Sequence, residues 1–204
     1  MSSVPVIGLV GGIGSGKSAV SGILADLGCV VSNSDHVAHE CLLHPSVVSM
    51  LVSRWGDRVL AEDGTPDRSV IAGIVFGEES ERIWLESVLH PMINERRRSS
   101  LNALDEKASG FVIDAPLLFE AGIDAECDAV LFIDAPFDQR LDRVVTSRGW
   151  SEENLKDREA RQMTLGEKRA RATAVIPNAG PIEELREHVR TAFDLIRRPP
   201  PRTT

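Results

Sequence analysis

The segment Gly11-Gly12-Ile13-Gly14-Ser15-Gly16-Lys17-Ser18 restricts this chain to a small set of folds. It satisfies G-x-x-x-x-G-K-[ST], the pattern of a phosphate-binding loop. Val6-Ile7-Gly8-Leu9-Val10 before it is a short apolar run that reads as a buried strand. Val20, Ile23, Leu24 and Leu27 after it recur at helical spacing. Strand, glycine-rich loop and helix in that order are the context that the motif requires.

Glycines let the backbone turn tightly and bring N–H groups close to phosphate oxygens. A helix opening near Gly16 points its positive end at the same anion. Lys17 adds a mobile positive charge for β- and γ-phosphates, and Ser18 offers a hydroxyl to Mg²⁺. A glycine-rich turn that binds nothing is the alternative, and the Lys-Ser pair between strand and helix argues against it.

At 204 residues the chain is long enough for one α/β domain carrying an inserted lobe. Hydrophobic residues make up 42% and charged residues 26%, as in soluble globular proteins, and no apolar run approaches a membrane span. Met1 to Pro5 has no basic stretch of the kind a secretory signal needs, so a cytoplasmic location is the default. A net charge of −8 disfavours nucleic acid as a partner, which needs a basic field. Cys29, Cys41 and Cys127 lack metal-ligand spacing and read as reduced thiols, and the histidines form no zinc set. Aromatics are scarce and Tyr is absent, which argues against base-stacking platforms.

The runs 6–10, 30–32, 111–114, 129–133 and 174–176 read as strands separated by helical patterns. That alternation, without hairpin signals, predicts an α/β fold of three layers, a P-loop NTPase arrangement with a parallel five-stranded sheet flanked by helices. The interval 35–107 holds no convincing strand and reads as helices over 35–43, 46–55, 67–75 and 78–107. It is too long for a plain crossover and suggests a helical acceptor-binding insertion. An Arg-rich insertion, about 137–171, reads as a mobile helical pair that acts as a lid. The nucleotide core is left with about 1–34, 108–136 and 172–198. The Pro- and Arg-rich tail reads as a frayed end.

Ligands of open parallel sheets bind at the carboxyl edge of the strands. Asp35 follows the second strand and is expected near the phosphate loop. There it could take a proton from an attacking hydroxyl or help hold Mg²⁺; the alternative is a helix N-cap. Asp114 ends the third strand, where an acid can position a water on Mg²⁺. No second acid follows it, which weakens a motor or hydrolase reading. Pro116 and Glu120 have functional and structural readings of equal weight. In the Arg-rich insertion most charges alternate in sign and should be solvated, while Arg143 and Arg148 are the candidates to reach phosphate. His90-Pro91 breaks the long helical stretch, as a helix start or as a helix end aimed at an acceptor. Asn178-Ala179-Gly180 can set backbone groups against an adenine edge or simply turn the chain.

Taken together, these segments resemble the dephospho-coenzyme A kinase family from Val6 to about Val189. The phosphate loop matches, as do Asp35-His36-Val37-Ala38, Asp63-Gly64, Asp67-Arg68, Val75-Phe76, His90-Pro91-Met92-Ile93 and Pro116-Leu117-Leu118-Phe119-Glu120. Gln162, Glu167, Arg169 and Val175-Ile176-Pro177-Asn178-Ala179-Gly180 complete the pattern. The loop alone names a superfamily; His-Pro and Pro-Leu-Leu-Phe-Glu at these intervals are far more specific.

The resemblance implies ATP-dependent phosphorylation of the ribose 3′-hydroxyl of dephospho-coenzyme A, the last step of coenzyme A synthesis, with Mg²⁺ accompanying ATP. It implies that Gly14, Ser15, Gly16, Lys17, Ser18 and Ala19 hold the ATP phosphates, and Gly12, Arg148, Asn178 and Gly180 are grouped with them. Lys17 would polarise the transferred group, Asp35 would be the base, and Arg143 would be the lid arginine on phosphate. His90, Leu117, Leu118 and Phe119 would line the acceptor side with Asp35, and Ser18 would hold Mg²⁺ with Asp35 or Asp114. A monomer or weak homo-oligomer is expected, with no nucleic-acid or membrane partner.

The sequence departs from the family at four places. Ala19 stands for a usual Thr, Asn33 for the first Asp of an Asp-x-Asp pair, His39 for an Arg and Thr173 for an Asp. The alternatives are another small-acceptor kinase of the shikimate or gluconate type, or a catalytically silent nucleotide-binding module. A GTP switch is disfavoured because the chain has no Asn-Lys-x-Asp segment.

Overall fold

The computed structural model describes residues 4–197. Five strands form one parallel sheet in the order β2-β3-β1-β4-β5. They are β1 (Val6–Gly11), β2 (Cys29–Asn33), β3 (Gly110–Asp114), β4 (Ala129–Asp134) and β5 (Ala174–Pro177). Each apolar run of the sequence became a strand, extended by a residue or two at its ends. The central strands are buried along nearly their whole length, as continuous Val/Ile/Leu runs require when both faces are covered.

Side-chain alternation sorts the two faces. Ile7 and Leu9 join Leu131 and Ile133 in a core closed by α1 (Lys17–Asp26) and α9 (Ile182–Arg197), through Val20, Leu24, Val189 and Phe193. On the opposite face, a Cβ at Gly8 would stand 2.7 Å from Leu118 Cδ1, so the strand yields volume to that leucine. The pairs Val6–Phe111 and Ile7–Ala129 set the register that brings the carboxyl ends of β1, β3 and β4 to one edge.

The chain divides into two compact units: residues up to Asn33 with those from Leu104 on, and Ser34–Ala103. Between β4 and β5 the first unit carries α6 (Phe137–Arg148), α7 (Glu152–Glu159) and α8 (Leu165–Arg171). The segment expected as a helical pair is therefore three helices. Capping boxes at Ser151/Asn154 and Thr164/Glu167 supply the extra start, because each satisfies two otherwise orphaned amides.

The second unit holds α2 (Ser34–Leu42), α3 (Pro45–Trp55), α4 (Arg68–Gly77) and α5 (Glu79–Asn102) around its own core of Cys41, Val47, Leu51, Trp55, Val59, Ile71 and Leu89. Asp67 caps α4 by accepting from the amides of Ser69 and Val70. Pro91 does not break the long helix, as the sequence suggested; α5 runs through it. Its missing N–H costs one helical bond, about 3 kcal/mol with the ring clash. Leu89, Met92 and Ile93 on either side pack into the core and hold the helix together. His90 is accordingly a mid-helix residue, neither a start nor an end.

Trp55 meets Trp84 edge-on, with ring centroids 5.0 Å apart. Glu81 accepts from Arg54 Nε at 2.6 Å, Arg54 Nη2 at 2.9 Å and Trp55 Nε1 at 2.7 Å. Arg54 first, then Trp55, holds the Glu81 carboxyl below the usual carboxylate range. A carboxyl lowered on folding adds stability above its unfolded value, and that gain disappears as pH falls through the folded value. Glu81→Gln should therefore flatten the acid side of the melting profile. Circular dichroism melts from pH 3 to 7 check this, and an unchanged slope would contradict it.

Candidate phosphate-binding site

The glycine-rich loop leaves the carboxyl end of β1 and enters α1 at Lys17. Gly14 and Gly16 take positive φ values of 78° and 94°, which L side chains rarely adopt. At Gly16 a Cβ would also lie 2.2 Å from Asn178 Nδ2. The turn closes through Ser15 N–H to Gly12 O at 3.1 Å.

The loop carbonyls are occupied from outside. Ile13 O accepts from Arg140 Nη1 at 3.2 Å, and Gly14 O from Arg143 Nη1 at 3.2 Å. Ser15 O accepts from Arg143 Nη1 at 3.3 Å and from Asn178 Nδ2 at 2.6 Å. Among the described residues no acceptor lies against the amides of Gly14, Gly16 or Ser18. With carbonyls bound outward and amides open at the positive end of α1, the loop is an anion cradle. Ser18 and Ala19 are exposed in the first turn, and Lys17 is half-buried beside them.

Arg143 also donates from Nη2 to Gln139 Oε1 and to Asn178 O, both at 3.2 Å. It braces the loop and the turn after β5 at once. Arg148 lies at the end of α6, its Cζ 4.8 Å from the Trp150 ring, with Arg158 Cζ at 4.2 Å from the same ring. Asn178 is buried with its side chain on the loop, and a Cβ at Gly180 would stand 2.3 Å from Glu184 Oε2.

Asp114 is buried at the end of β3 and accepts at Oδ2 from Ser21 Oγ at 3.3 Å and Asn33 Nδ2 at 3.2 Å. The amide at position 33 thus donates to Asp114, where a carboxylate would set two negative charges together. Thr173 has a local role as well: its Oγ1 accepts from Val130 N–H at 2.9 Å and its own N–H donates back at 2.8 Å, closing the start of the β4–β5 ladder.

Leu117 is exposed, whereas Leu118 and Phe119 are buried in the first unit. Glu120 accepts from Met163 N–H at 2.8 Å and pairs with Lys168 Nζ at 3.2 Å. Lys168 is fully buried and also donates to Pro116 O at 3.3 Å and Gln162 Oε1 at 3.0 Å. Sequence reasoning placed Lys168 and Arg140 among solvated lid charges; both are buried. Flanking Glu and Arg residues hid Lys168, and Arg140 carried no signal of its own.

Asp35 and His90 belong to the second unit, and both are exposed. Asp35 is the second residue of α2, which begins at Ser34, so it is not the helix N-cap. It occupies the first turn, where helix polarity favours a negative charge.

The family model for dephospho-CoA kinase matches residues 5–184. A dephospho-CoA kinase from Moorella thermoacetica is 40% identical over 201 residues, covering 95% of this chain and 92% of the relative. The structure of TT1252 from Thermus thermophilus superimposes with a TM-score of 0.80 at 31% identity, over 94% of this chain and 97% of that one. The fold is also that of a dephospho-CoA kinase from Campylobacter jejuni, with a TM-score of 0.70 at 24% identity over 94% of this chain and 96% of the other. Carried along nearly the whole chain, beyond the phosphate loop alone, these likenesses make it a member of the dephospho-CoA kinase family.

Proposed function

We propose that the chain transfers the γ-phosphoryl group of ATP to the ribose 3′-hydroxyl of dephospho-coenzyme A, giving coenzyme A and ADP. The family is one of ATP-dependent kinases, and its name implies the last step of coenzyme A synthesis. The observation that carries the reading is the cradle itself: open amides at Gly14, Gly16 and Ser18, held by carbonyls already bound to Arg140, Arg143 and Asn178. Preorganised donors of this kind stabilise charge without reorganising when the reaction occurs.

In this reading Lys17 follows the migrating phosphoryl group and offsets its charge. Asp35 takes the proton from the 3′-hydroxyl oxygen as that oxygen attacks phosphorus. The helices of residues 35–107 receive the acceptor, with His90 among them. In the first unit Leu117 offers it an exposed apolar side chain, and Leu118 and Phe119 lie buried in that unit. Residues 137–171 act as the lid; Arg148 turns to phosphate when nucleotide is bound, while Arg143 stays on the loop carbonyls and lends its charge to the phosphates from there.

The donors on offer to Mg²⁺ are hard oxygens, chiefly the exposed Ser18 hydroxyl, with Asp114 or Asp35 acting through water. When bound, the ion would neutralise phosphate charge.

A coupled assay with Mg·ATP tests the reaction. ADP formation should require dephospho-coenzyme A, with shikimate and gluconate giving no more than the blank. ADP release that does not depend on dephospho-coenzyme A would overturn the assignment.

A further inference from the structure

We propose that Arg140 and Glu159 are positioning residues for phosphoryl transfer, an ion pair of a buried arginine and a half-buried glutamate that fixes the apex of the phosphate loop by holding both backbone groups of Ile13. The inference rests on reading that loop as the ATP phosphate site.

Ile13 N–H donates to Glu159 Oε1 at 3.0 Å, and Ile13 O accepts from Arg140 Nη1 at 3.2 Å. Arg140 Nη1 and Glu159 Oε1 also bond to each other at 2.5 Å. Both backbone groups of one residue at the tip of the loop, in adjacent peptide units, are thus held by side chains more than a hundred residues away in sequence. The grip closes over a glycine. A Cβ at position 12 would stand 2.6 Å from Arg140 Nη1 and 3.0 Å from Glu159 Oε1. Gly12 therefore serves the pair as well as the turn.

Arg140 is 4% exposed, and Phe137 covers its guanidinium at 5.4 Å from the ring centroid. Its Nε is buried with no hydrogen-bond partner among the described residues. A side chain selected only for stability would not leave a buried donor unmatched, because that loss exceeds the usual net gain of a hydrogen bond. The cost is accepted where geometry matters. Moreover, a buried ion pair is rarely worth more than apolar side chains of equal volume, whereas it directs hydrogen bonds that they cannot make.

Glu159 ends α7, so the pair ties that helix to the cradle. Arg143 and Asn178 hold the carboxyl-terminal half of the loop, and Arg140 and Glu159 hold its tip. Loss of the tip contacts should let the amides drift from the positions that the phosphates require. A displacement of about 1 Å at such a site can cost on the order of a hundredfold in rate.

The test separates positioning from packing. Arg140→Met combined with Glu159→Leu replaces the pair by apolar side chains of similar bulk, and its melting temperature should match or exceed that of the wild type. Its kcat/KM for ATP should nevertheless fall by about ten- to a hundredfold, with KM for dephospho-coenzyme A changed less than about twofold. Wild-type kcat/KM for ATP in this variant overturns the proposal, as does a KM for dephospho-coenzyme A raised as much as the KM for ATP. Should the double variant fail to fold, Glu159→Gln carries the same test. It keeps an acceptor for Ile13 N–H and removes the charge facing Arg140. A few-fold rise in KM for ATP alone supports the proposal, and an unchanged KM overturns it. Calorimetric titration of the wild type with Mg·ATP stands apart from these outcomes: absence of binding sinks the phosphate-site reading itself.

Discussion

Lys17→Ala is expected to leave a folded chain whose turnover is about a thousandth of wild type or lower. Position 17 is the first residue of α1 and the last of the loop, and Ala is the best helix former, so the helix tolerates the change. The chemistry does not. In the loose transition state of phosphoryl transfer, negative charge spreads over the equatorial and leaving oxygens, and catalysis is chiefly positioning and charge stabilisation. In the proposed reaction the open amides of Gly14, Gly16 and Ser18 would supply fixed partial charges, whereas Lys17 would be the full charge able to travel with the group. Steady-state kinetics and a thermal melt together make the check. Turnover within about tenfold of wild type would mean that another cation does this work.

Asp35→Asn is expected to lower kcat by about a hundred- to ten-thousandfold, the usual range for a general base, while ATP affinity stays within about twofold. The amide keeps the size of the side chain and its place in the first turn of α2, and it cannot accept the hydroxyl proton. If Asp35 served only the helix, the substitution would cost about 1 kcal/mol or less and leave turnover intact. Wild-type turnover in the variant therefore rules the base role out. The pH–rate profile separates the remaining roles: loss of a base abolishes the acid limb of kcat/KM, whereas loss of an Mg²⁺ holder raises the Mg²⁺ concentration needed and keeps the limb.

The sheet was legible because its signals are local and strong. A strand buried on both faces must be apolar throughout, and residues 6–10, 111–113 and 129–133 have little freedom to be anything else. The loop was legible for a different reason: its glycines and Lys-Ser pair have few other uses at that spacing. What failed was whatever depended on distant partners. Pro91 reads as a break, yet packing by Leu89, Met92 and Ile93 carries the helix through. Arg140, Glu159 and Lys168 lie in a stretch of alternating charge, and only the fold reveals that two of them are buried. Asn33 looked like a lost carboxylate and proved to be a donor to Asp114.

The pairing of Val6 with Phe111 and of Ile7 with Ala129 has a consequence during synthesis. The ribosome delivers the innermost strand first and its neighbours roughly a hundred residues later, about ten seconds at ordinary elongation rates. For that interval a greasy, edge-exposed ribbon has nothing to zip against. Growth temperature and chaperone supply should therefore govern the yield of this polypeptide in a heterologous host more strongly than changes at its surface.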